Sequence, residues 1–591
     1  MKKTLLSLAV LGFLANNLQA QVNVSATSGT STGSYTTLKG AFDAINAGTH
    51  QGAIIINVTG DTTETTTAVL NASAGTSSYT SVLIKPATGV NATITSASPV
   101  ATIRFFGADN VTIDGSNNGS SSRNLSINTT YVATTGTNPV ALWVSSTTTD
   151  GAENVTLKNT NFSGSTSAGT VGAVIISGTA LGAAEFPNNN FSAINNTFAR
   201  AQNGIFGVGN ATNTDTGWII RNNEIGSTVA ADKMLFRGIA VQNAKNFEVS
   251  GNIIKGVALP ATSTGTAQGI LVGAAVTNGQ IFNNKISDIK QPNTAGYGAV
   301  GLYINSNVPA SNLLIYNNFI NDIAGTGYSL GGGLADNGNG IVIGNGGGFK
   351  LYYNTVVMDT NQTNAGRPSA LNILSTVTTA ASIDIRNNIF VNKQTQAGDR
   401  YAIYSGAANT VYSNINYNDY YSTGTNLGYI GSARINLAAI QTGFGGNVNS
   451  LNILPAFVSA TDLHLATTGN AALDNKGTPI AEVALDIDGN TRSTTTPDLG
   501  GNEFTDVTLA IHDVNKARIS YYPNPVTDYL QITNTSKIKN VDIYNASGQL
   551  MKNIELNSEK GSIDMKVLPA GVYILKVNTD KQSESLKIIK K

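Results

Sequence analysis

The chain has 591 residues, including 62 glycines and no cysteine, and its formal net charge is zero. Its 35 basic residues are balanced by 35 acidic ones, which excludes the strongly basic surface typical of nucleic-acid-binding proteins. Apolar residues make up 41% of the chain, too many for a disordered protein, and the length indicates several domains or a repeat array. Without disulfides, we expect its stability to come from extensive regular hydrogen bonding.

The first twenty residues have the pattern of a secretory signal peptide. Two lysines follow Met1, an apolar run extends from Leu5 to Leu14, and the small residue Ala20 ends the segment. The run is too short for a membrane anchor, and no later segment is long and apolar enough to cross a bilayer. We therefore expect residues 1–20 to be removed on export, leaving no transmembrane segment.

One amphipathic helix is predicted near residues 36–47. Leu38, Ala41, Phe42 and Ile45 fall at helical spacing, and Gly48 is expected to end the helix. Because an open sheet edge invites aggregation, we interpret this helix as a cap on the array that follows.

A repeated frame runs through the middle of the chain. An asparagine, in most copies the second of a pair, follows a short apolar strand every 27–36 residues, and a glycine- or alanine-led strand precedes each frame. Three short strands per repeat predict an all-β fold, a right-handed parallel β-helix over residues 21–475. The aligned asparagines are Asn196, Asn223, Asn252, Asn284, Asn318, Asn354, Asn388 and Asn418.

These asparagines are predicted to be structural. Asparagine tolerates the left-handed backbone that a tight corner needs, and stacked copies can form a ladder of amide hydrogen bonds. The layout of residues 21–475 resembles the pectin-lyase-like family of β-helices. That resemblance implies the fold, which proteins of many different functions share.

The sequence assigns no catalytic residue. Polysaccharide-cleaving enzymes of this architecture need a general base and usually carboxylates, yet the outward positions of the glycine-led strand are uncharged. The remaining carboxylates lie in loops, at Asp288, Asp322, Asp336 and Asp399.

Aromatic residues are the candidate glycan-binding groups. Phe282, Tyr316 and Tyr352 occupy the same position in three successive frames and are predicted to stack one above another. Facing outward, they would form a strip suited to sugar rings; stacked on one another, they would be an aromatic ladder. The outward aromatic residues of the glycine-led strand are further candidates, namely Trp143, Tyr303 and Tyr404.

Residues 476–516 are expected to close the helix and link it to the tail. The stretch from Asp486 to Arg492 (DIDGNTR) resembles a segment often found at the end of bacterial β-helix domains. Asp486 and Asp488 could hold Ca²⁺, but two carboxylates are few for a calcium loop, and a turn is the alternative. We expect no other cofactor.

The composition changes in residues 517–591, where short alternating strands predict a small β-sandwich. The motifs YPNP, LPAGVY and KIIKK closely resemble those of the type IX secretion sorting domain; an immunoglobulin-like binding module is the alternative. The resemblance implies passage through the periplasm and handling by the type IX secretion machinery, which commonly removes the tail. It rests on Pro523, Asn524, Pro525, Gly571, Tyr573, Lys587, Lys590 and Lys591.

Together these features favour a protein that is secreted or held at the outer-membrane surface. We expect an adhesin-like rod that binds extracellular polysaccharide or host or matrix glycans. The alternative function is a polysaccharide lyase or glycoside hydrolase whose catalytic groups come from the loops.

Overall fold

The computed structural model describes residues 20–327, 337–362, 366–507, 519–580 and 583–591. The predicted signal peptide, apart from Ala20, and Asp336 lie outside the described residues. The chain divides into two compact units, Met1–Asp506 and Val507–Lys591. The first unit is a parallel β-solenoid of about 11 turns, and the second is an antiparallel sheet. The prediction of an all-β chain built on a parallel solenoid is confirmed.

Three long sheets, here named A, B and C, form the sides of the solenoid. Sheet A contains Thr32–Tyr35, Val22–Gly29, His50–Val58, Tyr79–Pro86, Val111–Asp114, Thr156–Lys158, Ser192–Ile194, Ile219–Arg221, Glu248–Ser250, Gln280–Phe282, Leu313–Tyr316, Phe349–Tyr352, Ile383–Arg386 and Tyr412–Asn416. Sheet B contains Thr62–Glu64, Ala92–Ser96, Leu125–Thr129, Thr160–Ser163, Thr197–Ala199, Glu224–Ile225, Ile253–Ala258, Lys285–Gln291, Phe319–Asn321, Ile323–Gly325, Thr355–Met358, Ile389–Asn392 and Asp419–Ser422.

Sheet C contains Ala68–Asn71, Ala101–Phe106, Val140–Ser145, Gly172–Ser177, Asn203–Val208, Arg237–Gln242, Ala267–Val272, Ala299–Asn305, Gly338–Asn345, Ser369–Ile373, Tyr401–Ser405, Gly428–Ile430 and Ser432–Arg434. A small two-stranded ladder joins Asp215–Thr216 to Ala244–Lys245. The α-helices are Leu38–Asn46 and Leu437–Phe444, and single 3₁₀ turns lie at Ala230–Asp232 and Asn409–Val411.

Inward side chains form stacked apolar columns along each sheet. In sheet A, Ile281, Ile315, Leu351 and Ile385 are register partners in successive turns and all are buried. Burying such a side chain contributes about 1.5–3 kcal/mol. Each strand supplies one residue to such a column, and the contribution is repeated in every turn, so the columns stabilise the whole unit.

The eight aligned asparagines lie fully buried at the corner between sheets A and B. Each Nδ2 donates to the Oδ1 of the next asparagine at 2.9–3.1 Å, over seven steps from Asn196 to Asn418. The backbone N–H of each of the first seven donates to that same Oδ1. The ladder begins with the Thr160 N–H and ends on the Ser450 hydroxyl.

The two members of each pair have different roles. The left-handed backbone belongs to the first residue, with φ of 55° at Asn195, 57° at Asn222 and 54° at Asn283, whereas the second residue forms the ladder. Tyr353 and Tyr417 take the left-handed position in two frames, each with φ of 55°. The sequence pattern did not separate these roles.

A second asparagine ladder, which the sequence analysis missed, follows the corner between sheets C and A. Asn154 donates to Asn110 at 3.0 Å and Asn190 to Asn154 at 2.9 Å, and Asn312 donates to Asn278 at 2.9 Å. These side chains are exposed and their backbones are left-handed. Their shared signal is an asparagine one or two residues before the strand of sheet A.

Both ends of the solenoid are covered. At the start, Val22–Gly29 pairs antiparallel with His50–Val58, and the first α-helix buries its apolar stripe against the core. The buried Glu64 carboxylate accepts the N–H groups of Leu38 and Lys39 at the start of that helix, where a negative charge is favourable. At the far end, Ser432–Arg434 pairs antiparallel and the second α-helix follows.

The repeat, expected to reach residue 475, ends at Ser432–Arg434. Residues 451–507, here called the closing segment, fold back over the outer face of sheet B. Four closing-segment leucines pack against four sheet residues, namely Leu463, Leu465, Leu473 and Leu499 against Phe319, Val357, Ile389 and Val391. The buried Arg492 lies 3.8 Å from the ring centre of Tyr353 and donates to Asn317 Oδ1 and to the carbonyls of Gly500 and Gly501.

The second unit is built from five antiparallel strands, several of them longer than the short strands that the sequence predicted. Its strands are Ser520–Tyr522, Tyr529–Asn545, Leu550–Asp564, Gly571–Thr579 and Ser583–Lys590. The strand Tyr529–Asn545 continues through a register irregularity between Thr533 and Ile538, and on both sides of it the strand pairs with Leu550–Asp564.

The sorting-motif residues fix the end of this sheet. Asn524 donates to the Lys587 carbonyl at 3.1 Å and accepts from the Ile589 N–H at 2.8 Å, so its side-chain amide forms two hydrogen bonds with the backbone of the last strand. Tyr573 is buried, and its hydroxyl donates to the Pro569 carbonyl.

Candidate functional site

Phe282 and Tyr316 form a stacked pair on the outer face of sheet A. They are register partners, their ring centres are 4.7 Å apart, and their planes differ by 4°. A separation equal to the strand spacing requires the rings to lie face to face along the solenoid axis. Both are partly exposed and turn their edges outward. The other side of Phe282 faces the small residue Ser250, and in the described part of the chain no second ring stacks on it. The other side of Tyr316 lies towards its register partner Tyr352 and packs against the buried cluster that Tyr352 forms with Ile480.

Tyr352 does not extend this open strip, although it is the register partner of Tyr316. It is 1% exposed and packs against Ile480 and Val483 of the closing segment. Its hydroxyl donates to Asp384 at 2.9 Å, and burial together with that carboxylate raises its pKa well above the ordinary value. The predicted register of Tyr352 is confirmed, but of the two alternatives for the column the outward-facing one is wrong at this position, because the closing segment covers the ring.

The strip is bordered by ion pairs in which both partners are occupied. Arg221 donates to both oxygens of Glu248 at 2.7 and 2.6 Å. Burial alone would raise the pKa of Glu248, but the hydrogen bonds from Arg221 and Ser250 outweigh it and lower that pKa. On the other side of the strip, Arg386 holds Asp384 in the same way. The border is therefore polar but has no net charge.

The Tyr316 hydroxyl is a neutral donor at the edge of the strip. Burial, and secondarily the charge of Glu248, raises its pKa to about 12, so it keeps its proton at any physiological pH. The exposed Gln280 side chain lies on the strand of Phe282, two residues away and on the same face. An apolar ring with flanking hydroxyl and amide groups can contact a sugar through both its C–H and O–H groups.

Trp143 is part of the structure and not of an open surface. It is 5% exposed, the Arg104 guanidinium lies 3.9 Å from its ring centre, and its indole N–H donates to Ser177 at 2.8 Å. It packs with Ala101, Val140 and Ile175, so its prediction as a glycan-binding residue is wrong. Tyr303, in the same outward column, is partly exposed.

Tyr404 belongs to a second stacked pair at the far end of sheet C. Its ring lies 4.6 Å from that of Tyr429 at 11°, and its hydroxyl accepts from Arg367. Tyr429 faces the exposed Ala433 on the last strand, and it also contacts the ring of Tyr401 in an edge-on arrangement with ring centres 6.2 Å apart. Sequence reasoning missed Tyr429 because its strand lies beyond the last asparagine frame; only the preceding Gly428 hinted at the repeat.

Two of the described loop carboxylates are engaged in ion pairs, whereas the exposed Asp399 accepts from the Asn426 amide at 3.4 Å. Asp288 pairs with Lys233 at 2.8 Å and Asp322 pairs with Lys290. Arg237 donates to Gln268 at 2.7 Å and to Asn203 at 3.3 Å, so it is not available to these aspartates.

The proposed calcium ligands have other partners. Asp486 accepts from the N–H groups of Asp488, Asn490 and Glu503 and from the Asn490 amide, which is the pattern of a turn. Asp488 contacts His464 Nε2 at 3.0 Å. In the described part of the chain, no group of three or more His, Cys, Asp or Glu residues is arranged to hold a metal ion.

The tail is the part of the chain that comparison with known proteins identifies. Residues 520–591 match the family model of the secretion system C-terminal sorting domain. The tail is such a sorting domain. It indicates export by type IX secretion, to the cell surface or out of the cell, and handling by that machinery. In the described ranges no helix is long and apolar enough to cross a membrane.

A likeness to known proteins outside the tail is found among solved structures. The solenoid is similar to the Dettilon tailspike protein (gp208), with 14% identity and a TM-score of 0.40. The match covers 69% of this chain and 66% of the tailspike chain, which is slightly less than two thirds of the latter. No curated protein matches the chain.

Proposed function

We propose that the exported solenoid is a glycan-binding rod that works outside the cell, in the manner of an adhesin. The observation that carries the proposal is the stacked pair Phe282–Tyr316, which is partly exposed and keeps one uncovered ring face at Phe282. A terminal ring of this kind offers an apolar face to one sugar residue. The sorting tail supplies the location at which such a ligand would be met.

The chemistry of the strip favours a neutral or weakly charged glycan. The Arg221–Glu248 pair neutralises its own charges, and the Tyr316 hydroxyl and Gln280 amide are uncharged donors. A polyanionic ligand would instead need cations without partners. The terminal ring Tyr429, on a different sheet, offers a second contact of the same type, so the rod could engage an extended polysaccharide at two places.

The alternative, a polysaccharide lyase or hydrolase, needs a base that is free to act. Asp288 and Asp322 are instead held by lysines, and Glu248 by Arg221. These ion pairs favour binding over cleavage as the role of the described loops and strip.

The test is retention of the purified protein on immobilised neutral and uronic-acid polysaccharides. We expect Phe282→Ala to weaken retention about 2- to 10-fold, because an aromatic contact contributes about 0.5–1.5 kcal/mol. Phe186→Ala is the matched control, since Phe186 is a phenylalanine that is 41% exposed. Equal retention of the two variants on every polysaccharide would refute the strip as a binding surface. Release of new reducing or unsaturated ends by the unaltered protein would favour the enzyme instead.

A further inference from the structure

The sorting tail exposes more large apolar side chains than its size accounts for. Of the 20 large hydrophobic residues exposed in the described chain, eight lie in residues 519–591, about an eighth of the sequence. Val572, Ile574 and Ile589 are 39%, 37% and 42% exposed although they lie within paired strands. A concentration of this kind marks an interaction surface more often than chance exposure does.

Strand register gathers these residues on one face of the sheet. Val572 lies opposite Ile589, and Tyr544 lies between Ile574 and Leu550. Directly paired residues point to the same side, so these five side chains form one apolar surface, here called the tail face. The alternate positions on the same strands are buried in the tail's own core; they include Ile543, Tyr573, Leu575 and Ile588.

The rim of the tail face carries more lysines than carboxylates, since Lys587 and Lys576 lie on it with one carboxylate, Asp542, opposite Lys576. Lys587 lies opposite Ile574 and forms no ion pair in the described part of the tail, and Lys590 and Lys591 follow at the end of the strand. The Asn524 side chain holds the backbone at Lys587 and Ile589, which fixes the position of this edge. The sorting motifs therefore contribute Val572, Ile589 and Lys587 to this surface and also hold its edge in place.

We propose that the tail face is the docking surface for a protein of the secretion machinery, one that offers an apolar patch bordered by acidic side chains. The charge of the lysines on the rim favours such a partner over a second copy of the tail. Two copies of the tail docked face to face would bring Lys587 and its neighbours against like charges, whereas an acidic rim would complement them. The inference is independent of any glycan binding by the solenoid.

Export from the producing bacterium tests the proposal with the full chain. The test variant combines Val572→Thr, Ile574→Thr and Ile589→Thr, which keep the β-branched shape and remove the apolar surface. The matched control combines Val100→Thr, Val132→Thr and Val229→Thr, which are 42%, 66% and 58% exposed on the solenoid. We expect the test variant to accumulate in the periplasm, with external protein reduced about tenfold or more, and the control to be exported normally.

A second variant and a cross-linking measurement cover the case in which the triple variant misfolds. Lys587→Glu changes only the rim and should also reduce export while the melting temperature stays unchanged. A photoreactive phenylalanine analogue in place of Ile574 should give an adduct with a periplasmic or outer-membrane protein. The same analogue in place of Val567, which is 75% exposed but outside the tail face, should give none.

Three results would overturn the proposal. One is normal export of both the triple variant and Lys587→Glu. Another is binding of the purified protein to equal-part phosphatidylcholine–phosphatidylglycerol vesicles that the triple variant abolishes while its export is normal, since this would assign the face to lipid. The third is a dimer in sedimentation that the triple variant dissolves while export continues, since this would assign it to a second copy.

Discussion

Replacement of Asn318 by leucine tests the buried ladder at its centre. Asn318 Oδ1 accepts from the Asn284 amide and backbone N–H at 2.9 and 3.1 Å, and its Nδ2 donates to Asn354 Oδ1 and the Ile281 carbonyl at 2.9 Å each. Leucine has a similar size but neither accepts nor donates. The Asn284 N–H would then be buried without an acceptor, which costs about 1–3 kcal/mol, and the lost donor bonds add about 1 kcal/mol.

The assay is urea unfolding followed by hydrogen exchange of the amides in the frames on either side. We expect a lower unfolding midpoint and faster exchange at Asn284, where the ladder is interrupted. Asn414→Leu is the control, because Asn414 is an exposed strand residue of sheet A. If Asn318→Leu and Asn414→Leu gave the same midpoint and the same exchange, the ladder would not stabilise the solenoid as argued.

Three further predictions concern the closing segment and the residues it covers. Asp419 is fully buried, with one carboxylate oxygen accepting from the Ile453 N–H and the other without a partner, and burial raises its pKa from about 4 to about 8. Because the folded state keeps a proton that the unfolded state loses, the free energy of unfolding should fall as pH rises across that range. Asp419→Asn should therefore remove the fall in the urea midpoint between pH 5 and pH 9. Arg492→Met should loosen residues 451–507, seen as faster limited proteolysis there, because four contacts of the buried guanidinium are lost; unchanged cleavage would contradict this. Tyr352→Ala should destabilise the fold by about 3–5 kcal/mol, as expected for a buried aromatic residue, and an unchanged melting temperature would mean that Tyr352 is open to solvent.

Periodic features of the sequence were sufficient to predict the solenoid and its register. The asparagine spacing alone aligned Phe282 with Tyr316 and Tyr352, because a residue that must be buried at every corner fixes the phase of each turn. The alternation around Ile281 and Ile315 then identified the core. Such features are local and recur, so one chain contains many copies of the same evidence.

Features that occur once could not be predicted in the same way. The closing segment has no repeat, and nothing in Ile480 or Val483 indicates that they cover Tyr352. The orientation of the rings could not be predicted either. Aromatic residues one strand apart can form an open strip or a face-to-face stack, and only the ring planes of Phe282 and Tyr316 distinguish the two arrangements. The candidate site is therefore smaller than the sequence suggests, and its best contact is the end of a stack.

The central claim is that the terminal ring of this stack contacts a sugar. Calorimetric titration of Phe282→Ala and Tyr316→Ala with a glycan that the unaltered protein retains tests it most directly. Loss of Phe282 removes the uncovered face, whereas loss of Tyr316 leaves that face in place. The account predicts that Phe282→Ala raises Kd about 2- to 10-fold and that Tyr316→Ala has the smaller effect. An unchanged Kd for Phe282→Ala, or a larger loss for Tyr316→Ala, would contradict it.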